Sequence, residues 1–139
     1  MRNRTFVVFA CIIALAAACG SSGAGNPTPA GPTPAGVVET VNAGWLDDAA
    51  RFAGRNGQRF AYVCPPGPTE LGTIWGTDLY TDDASVCVAA VHAGVLTRER
   101  GGVAFIEIRP GAEAYVGSDR NGVVSRDYPQ WTGSYVFVR

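Results

Sequence analysis

Short runs of alternating apolar and polar residues, bounded by Gly, Pro and Asn, recur along the chain from residue 56 onward. Asn56-Gly57 reads as a turn leading into a strand over Arg59–Val63, and "CPPGP" follows as a rigid turn. "GTIWGTDLYT" reads as one or two short strands interrupted by glycine. Val103–Arg109 is a strand ended by Pro110-Gly111, and "EAYVGSDRNGVVS" is a hairpin with Asn121-Gly122 at its turn. "WTGSYVFVR" is a final strand, with Tyr135 and Phe137 on one face and Ser134, Val136 and Val138 on the other. Residues 45–53 read as a short helix or an irregular lead-in.

One run breaks the alternation. Val86, Cys87, Val88, Ala89, Ala90, Val91 and Ala93 are apolar almost all round a helix. Asp82 or Asp83 is expected to cap its start, and Gly94 stands where a left-handed C-terminal cap belongs. A helix of about ten residues cannot stand alone in water, so the rest of the domain must surround it. The expected fold class is α+β: a single small domain with one central buried α-helix wrapped by short β-strands.

The N-terminal third does not join this pattern. Arg2 and Arg4 precede an apolar run, Phe6–Leu15, and then the small residues Ala16-Ala17-Ala18 before Cys19. Residues 1–18 therefore read as a signal peptide. The Cys after small residues resembles a bacterial lipobox, with Ala16 where a Leu is usual. Cys19 is the expected lipidation site, with ordinary cleavage after Ala18 as the alternative. Residues 19–44 read as a tether, whose repeated Pro-Thr-Pro-Ala-Gly units carry no charge and bury no core. Residues 45–139 form the domain. Gly20 after Cys19 lacks the Asp that resembles an inner-membrane retention signal, which tilts the anchor to an outer membrane.

Charge and cysteine content narrow the partners. The chain has 11 basic and 12 acidic residues, and removing Arg2 and Arg4 leaves 9 against 12, a net −3. A mildly acidic domain excludes general nucleic-acid binding. Cys11 leaves with the signal and Cys19 takes the lipid. Cys64 and Cys87 remain in an exported chain, where a disulfide is favoured over free thiols.

Cys87 and His92 tempt a catalytic reading. Five residues apart on a helix, they lie roughly 140° apart around its axis and do not face each other. A structural zinc site wants four ligands, and Cys64, Cys87 and His92 make at most three. Asp78, Asp82 and Asp83 lack the spacing of a calcium loop and fit capping and turns better. No metal or cofactor is expected. His92 fits either the negative end of the helix dipole or a partly buried ring bonded to backbone. No nucleophile elbow, phosphate loop or dinucleotide fingerprint is present. The remaining enzyme reading is a glycan hydrolase built on paired carboxylates, with Glu107, Glu113 and Asp119 to consider.

Binding features remain. Trp45, Trp75, Trp131, Tyr80, Tyr115 and Tyr128 are many large aromatics for a small domain, and Arg109, Arg120 and Arg126 lie near some of them in sequence. Aromatic rings beside planar donors suit sugars or anionic head groups. Roughly two-thirds of these aromatics are expected in the core.

From Asn56 to Val138 the chain resembles the LCCL domain, especially its bacterial form. The likeness rests on "IWGTDLYTDDASVCVAAVHAGV" followed by "GGVAFIEIRPGAEAYVGSDRNGVVSRDYPQWTGSYVFV". The resemblance implies a central helix wrapped by short sheets. Many animal members carry a further cysteine soon after the first; here Pro68 stands at that place. The departure implies one bridge, Cys64–Cys87, instead of two. The resemblance also implies a non-catalytic extracellular module, with lipopolysaccharide or another polysaccharide as its suggested ligand. The expectation is a lipid-anchored cell-envelope module that binds glycan or lipopolysaccharide through Tyr80, His92, Arg109, Tyr115, Arg120 and Trp131. The alternative is a protein-interaction or structural module of the envelope.

Overall fold

The computed structural model describes residues 32–67 and 72–139. The signal peptide, Cys19, most of the tether and Pro68 lie outside the described residues. Among the described residues, ten strands and one α-helix follow in chain order. They are β1 (Val37–Asn42), β2 (Arg59–Cys64), β3 (Gly76–Thr77), β4 (Leu79–Thr81), α1 (Val86–His92), β5 (Gly102–Pro110), β6 (Ala114–Tyr115), β7 (Asp119–Arg120), β8 (Val123–Val124), β9 (Tyr128–Pro129) and β10 (Gly133–Phe137). Within residues 45–53 only a single 3-10 turn forms, Ala50–Phe52.

The main sheet has six strands in the order β1-β2-β5-β10-β4-β3. Only the β1–β2 pair is parallel. Two small ribbons, β6–β9 and β7–β8, complete the domain. Register sends Phe60, Tyr62, Ile106, Ile108, Tyr135 and Phe137 to one face of the sheet, as the alternation of β2, β5 and β10 requires. Helix α1 packs on that face against β2 and β5, and β8 closes over it from the other side. Every residue of α1 is buried, His92 included. The domain is therefore α+β with its single helix at the centre, and sheet on both sides.

The turns follow local chemistry. Asn121 and Gly122 both have positive φ, 53° and 72°, the pattern of a tight hairpin turn between β7 and β8. Gly94, at φ 72°, ends the helix, with its N–H on the Val91 carbonyl at 2.9 Å.

Two expectations are corrected. Residues 37–42 lie inside the segment 19–44 assigned to the tether, yet they form the edge strand β1. The strand is hidden in sequence because an edge strand buries little: only Val41 of its six residues is buried. The helix start also moves. Asp82 and Asp83 sit in a turn before α1, and Ser85 is the cap, its Oγ accepting the Val88 N–H at 3.4 Å. The helix is consequently seven residues long.

Candidate functional site

Cys64 at the end of β2 and Cys87 in the first turn of α1 form a disulfide with an S–S distance of 2.05 Å. Both are fully buried. The bridge ties helix to sheet and leaves Cys87 no thiolate, so Cys87 and His92 form no catalytic pair.

The same geometry settles His92. Its Nδ1 lies 2.8 Å from the Tyr80 hydroxyl, and its Nε2 lies 3.1 Å from the Ser118 carbonyl and 3.2 Å from Ser118 Oγ. A carbonyl only accepts, so Nε2 carries the proton and Nδ1 accepts from Tyr80. The Ser118–His92 contact has the outline of a nucleophile and its base. The tautomer forbids that role, because an Nε2 that donates cannot take the serine proton. Ser118 Oγ is also hydrogen-bonded to Thr77 Oγ1 at 2.8 Å. The sequence held Ser118 inside the β7–β8 hairpin reading, with no sign that it would meet His92. The reading of His92 as a bonded structural ring is the one realised, and it is fully rather than partly buried.

Burial also removes three residues from the proposed binding patch. Tyr80 and His92 have no exposed surface, and Tyr115 is only 3 % exposed. Tyr115 accepts the Ala112 N–H and donates to the Gly133 carbonyl at 3.3 Å. Burial pushes the Tyr80 hydroxyl pKa up to about 12, a loss of solvation that outweighs the opposing backbone hydrogen bond at Asp78. These polar-tipped rings face inward because remote backbone and side-chain groups satisfy their tips. They cannot touch a ligand, and the six-residue patch does not assemble. Of the six aromatics singled out in sequence, Trp45, Tyr80 and Tyr115 are buried, and Trp75, Tyr128 and Trp131 are half-buried.

Arg109 and Arg120 do reach the surface, each in an ion pair. Arg120 meets Asp78 at 2.8 Å. Arg109 and Arg59 hold the two oxygens of Glu107, at 2.7 and 2.9 Å. Glu107 is thus clamped between two guanidiniums, while Glu113 is exposed in the bend before β6 and Asp119 is exposed in β7. Among the described residues, no three His, Cys, Asp or Glu side chains converge as a metal site would require.

The surface feature that replaces the patch lies at the end of α1. Three adjoining clefts, of about 440, 380 and 420 Å³, all open onto Gly94. Val91, Leu96 and Phe137 give them an apolar floor, and Val95 is 40 % exposed beside it. Arg98, Arg100 and Arg139 line the rims, and none is ion-paired with another described residue. Glu99 shares the rim of the largest cleft. Gly94 opens the space by turning the chain sharply, and Asn121 braces the turn through a 2.9 Å bond to the His92 carbonyl. Apolar floor and guanidinium rim together suit a ligand that joins an anionic group to an apolar one.

The family model for the LCCL domain matches residues 41–135. Vitrin from Bos taurus is 41% identical over 78 residues, 55% of this chain and 12% of the relative. Clotting factor C from Tachypleus tridentatus is 36% identical over 90 residues, 64% of this chain and 9% of the relative. Cochlin from Homo sapiens is 35% identical over 78 residues, 55% of this chain and 14% of the relative. The chain thus spans only a small part of the curated relatives it matches.

Proposed function

The chain belongs to the LCCL domain family, and from that premise we propose that it is a non-catalytic, extracytoplasmic binding module for glycan or lipopolysaccharide-like ligands. The observation that carries this reading is the set of clefts around Gly94, where Arg98, Arg100 and Arg139, none ion-paired with another described residue, stand over an apolar floor. A guanidinium fork matches phosphate and carboxylate, and the floor accepts an acyl or sugar face. An extracytoplasmic setting agrees with the buried Cys64–Cys87 disulfide. A non-catalytic role agrees with a histidine whose two nitrogens are both committed to the fold. The lipid on Cys19 belongs to the same reading: it would hold the domain near the envelope through residues 20–36.

Titration calorimetry of the oxidised protein with lipopolysaccharide tests the reading. Saturable, salt-sensitive binding is expected, weakened at least about tenfold in the double variant Arg98→Ala/Arg100→Ala. Absence of saturable binding by the wild type, or full binding by the double variant, would overturn it.

A second reading, protein interaction in the envelope, has one observation in its favour. Strand β1 ends the main sheet, and Val38 on it is 55 % exposed.

A further inference from the structure

Three aromatic rings outside the Gly94 clefts form a connected row. Trp75 and Tyr128 have ring centroids 5.4 Å apart with planes at 59°, and Tyr128 and Trp131 are 5.7 Å apart at 84°. All three residues are half-buried. The row is fixed from beneath. Trp131 Nε1–H donates to Asp82 Oδ1 at 2.7 Å, and Asp82 is only 3 % exposed. Tyr128 is held in β9 by its pairing with Tyr115. Trp75 is bridged to Arg126: the Gly76 N–H donates to the Arg126 carbonyl, and the Arg126 N–H to the Ile74 carbonyl, both at 3.1 Å.

That bridge places a cation beside the rings. Paired residues send their side chains to the same side of a ladder, which puts Arg126 on the side of Trp75. Arg126 is exposed and makes no ion pair with another described residue. Two of the three polar tips are also uncommitted. Trp75 Nε1 and the Tyr128 hydroxyl form no hydrogen bond with another described residue, and neither is a buried orphan. Tilted aromatic rings and uncommitted N–H and O–H donors therefore lie beside Arg126, which pairs in the ladder with Trp75.

We infer that Trp75, Tyr128, Trp131 and Arg126 form a stepped subsite for the pyranose rings of an acidic oligosaccharide. The inference rests on the glycan reading above and gives it a second, separate place on the molecule. Apolar C–H faces of a sugar pack on the aromatic rings, the indole N–H and phenol O–H meet its hydroxyls, and Arg126 meets a carboxylate or phosphate substituent. Because the three planes are strongly tilted, the row presents no flat platform. It selects a soluble chain whose successive rings turn, and rejects a crystalline polysaccharide surface.

The test uses the deacylated, acidic core oligosaccharide of lipopolysaccharide, with microcrystalline cellulose as the flat control. In ¹H–¹⁵N spectra of the wild-type protein, the Trp75 indole resonance should shift on saturation while that of buried Trp45 stays in place. Trp75→Ala and Tyr128→Ala should each weaken binding at least about tenfold, and Arg126→Gln should weaken it severalfold and remove most of its salt dependence. Cellulose should not retain the protein. An unmoved Trp75 resonance, or unchanged affinity in a Trp75→Ala protein that still melts cooperatively, would overturn the subsite. If intact lipopolysaccharide binds through Arg98 and Arg100 while the deacylated core does not bind, the subsite fails and the broader reading stands. If neither binds the wild type, both fail.

Discussion

The Tyr80 hydroxyl lies 2.8 Å from Nδ1 of His92, and neither side chain has any exposed surface. Tyr80 also stacks on Tyr135, with ring centroids 5.7 Å apart, so the pair sits within the central aromatic cluster. A neutral, Nε2-protonated imidazole satisfies every group in the chain Tyr80–His92–Ser118. Replacing His92 by Leu strands the Tyr80 hydroxyl, while the Ser118 carbonyl keeps the Ser125 N–H at 2.8 Å, and should cost about 1–3 kcal/mol. Tyr80→Phe should cost about 1–2 kcal/mol, and the double variant less than the sum. Urea denaturation of the four proteins measures the coupling. Long-range ¹H–¹⁵N spectra should show the Nε2–H tautomer; the opposite tautomer would contradict this assignment.

Alkali should unfold the domain through its buried phenols. Burial raises the Tyr80 pKa to about 12, and it raises those of Tyr62 and Tyr135 in the same direction. The folded state therefore holds these protons more tightly than the unfolded chain does. Their contribution to stability is complete below about pH 10 and is lost as pH rises through the folded values. Tyrosinate absorbance followed alongside denaturant midpoints should show these hydroxyls ionising only as the protein unfolds. Ionisation of all five tyrosines near pH 10 in folded protein would contradict their burial.

The disulfide closes a loop of sequence separation 23. Chain entropy puts its contribution near 3 kcal/mol. The variant Cys64→Ala/Cys87→Ala should lose about that much, because both positions are fully buried and are left slightly underpacked as well. Thermal denaturation with and without reductant measures it, and reductant should leave the double variant unchanged.

Two glycines separate backbone strain from crowding. Gly57 and Gly94 both have positive φ, 81° and 72°. A Cβ at Gly57 meets nothing within 4 Å, whereas at Gly94 it sits 3.2 Å from Asn121 Nδ2, the atom that holds the His92 carbonyl. Gly57→Ala should cost about 1 kcal/mol, and Gly94→Ala measurably more. Equal losses in urea denaturation would show that Asn121 yields freely.

Anchoring has its own assay. Cys19→Ser should move the protein from the membrane fraction to the soluble one, with the domain's melting temperature unchanged. Soluble wild-type protein would remove the lipid from the proposal.

Legibility in the sequence followed the range of each interaction. The buried helix was legible because Val86–Val91 is apolar in every direction, which only a surrounding shell can satisfy. The β7–β8 turn was legible because Asn-Gly tolerates two successive positive φ angles. The helix cap was not: Asp82 and Ser85 are both good caps, and the choice was made elsewhere. The Trp131 indole, 49 positions along the chain, takes Asp82, while Ser85 Oγ also reaches the Trp45 carbonyl at 2.7 Å. Strand β1 was not legible either, since an edge strand with one buried residue has almost no alternation to read.

By itself, the sequence determined the fold class, the central position of the helix, the cysteine partners and the family, all of which depend on local pattern and residue type. The tertiary structure alone decided which polar-tipped side chains are buried. Tyr80, His92 and Tyr115 look like ligand-binding residues until a histidine ring, the Ser118 carbonyl and the Gly133 carbonyl, 12 to 26 positions away, close over their polar atoms. A hydrogen-bonding tip enters the core at low cost when a partner is waiting there, and for these three residues that partner is supplied by the packing of distant segments.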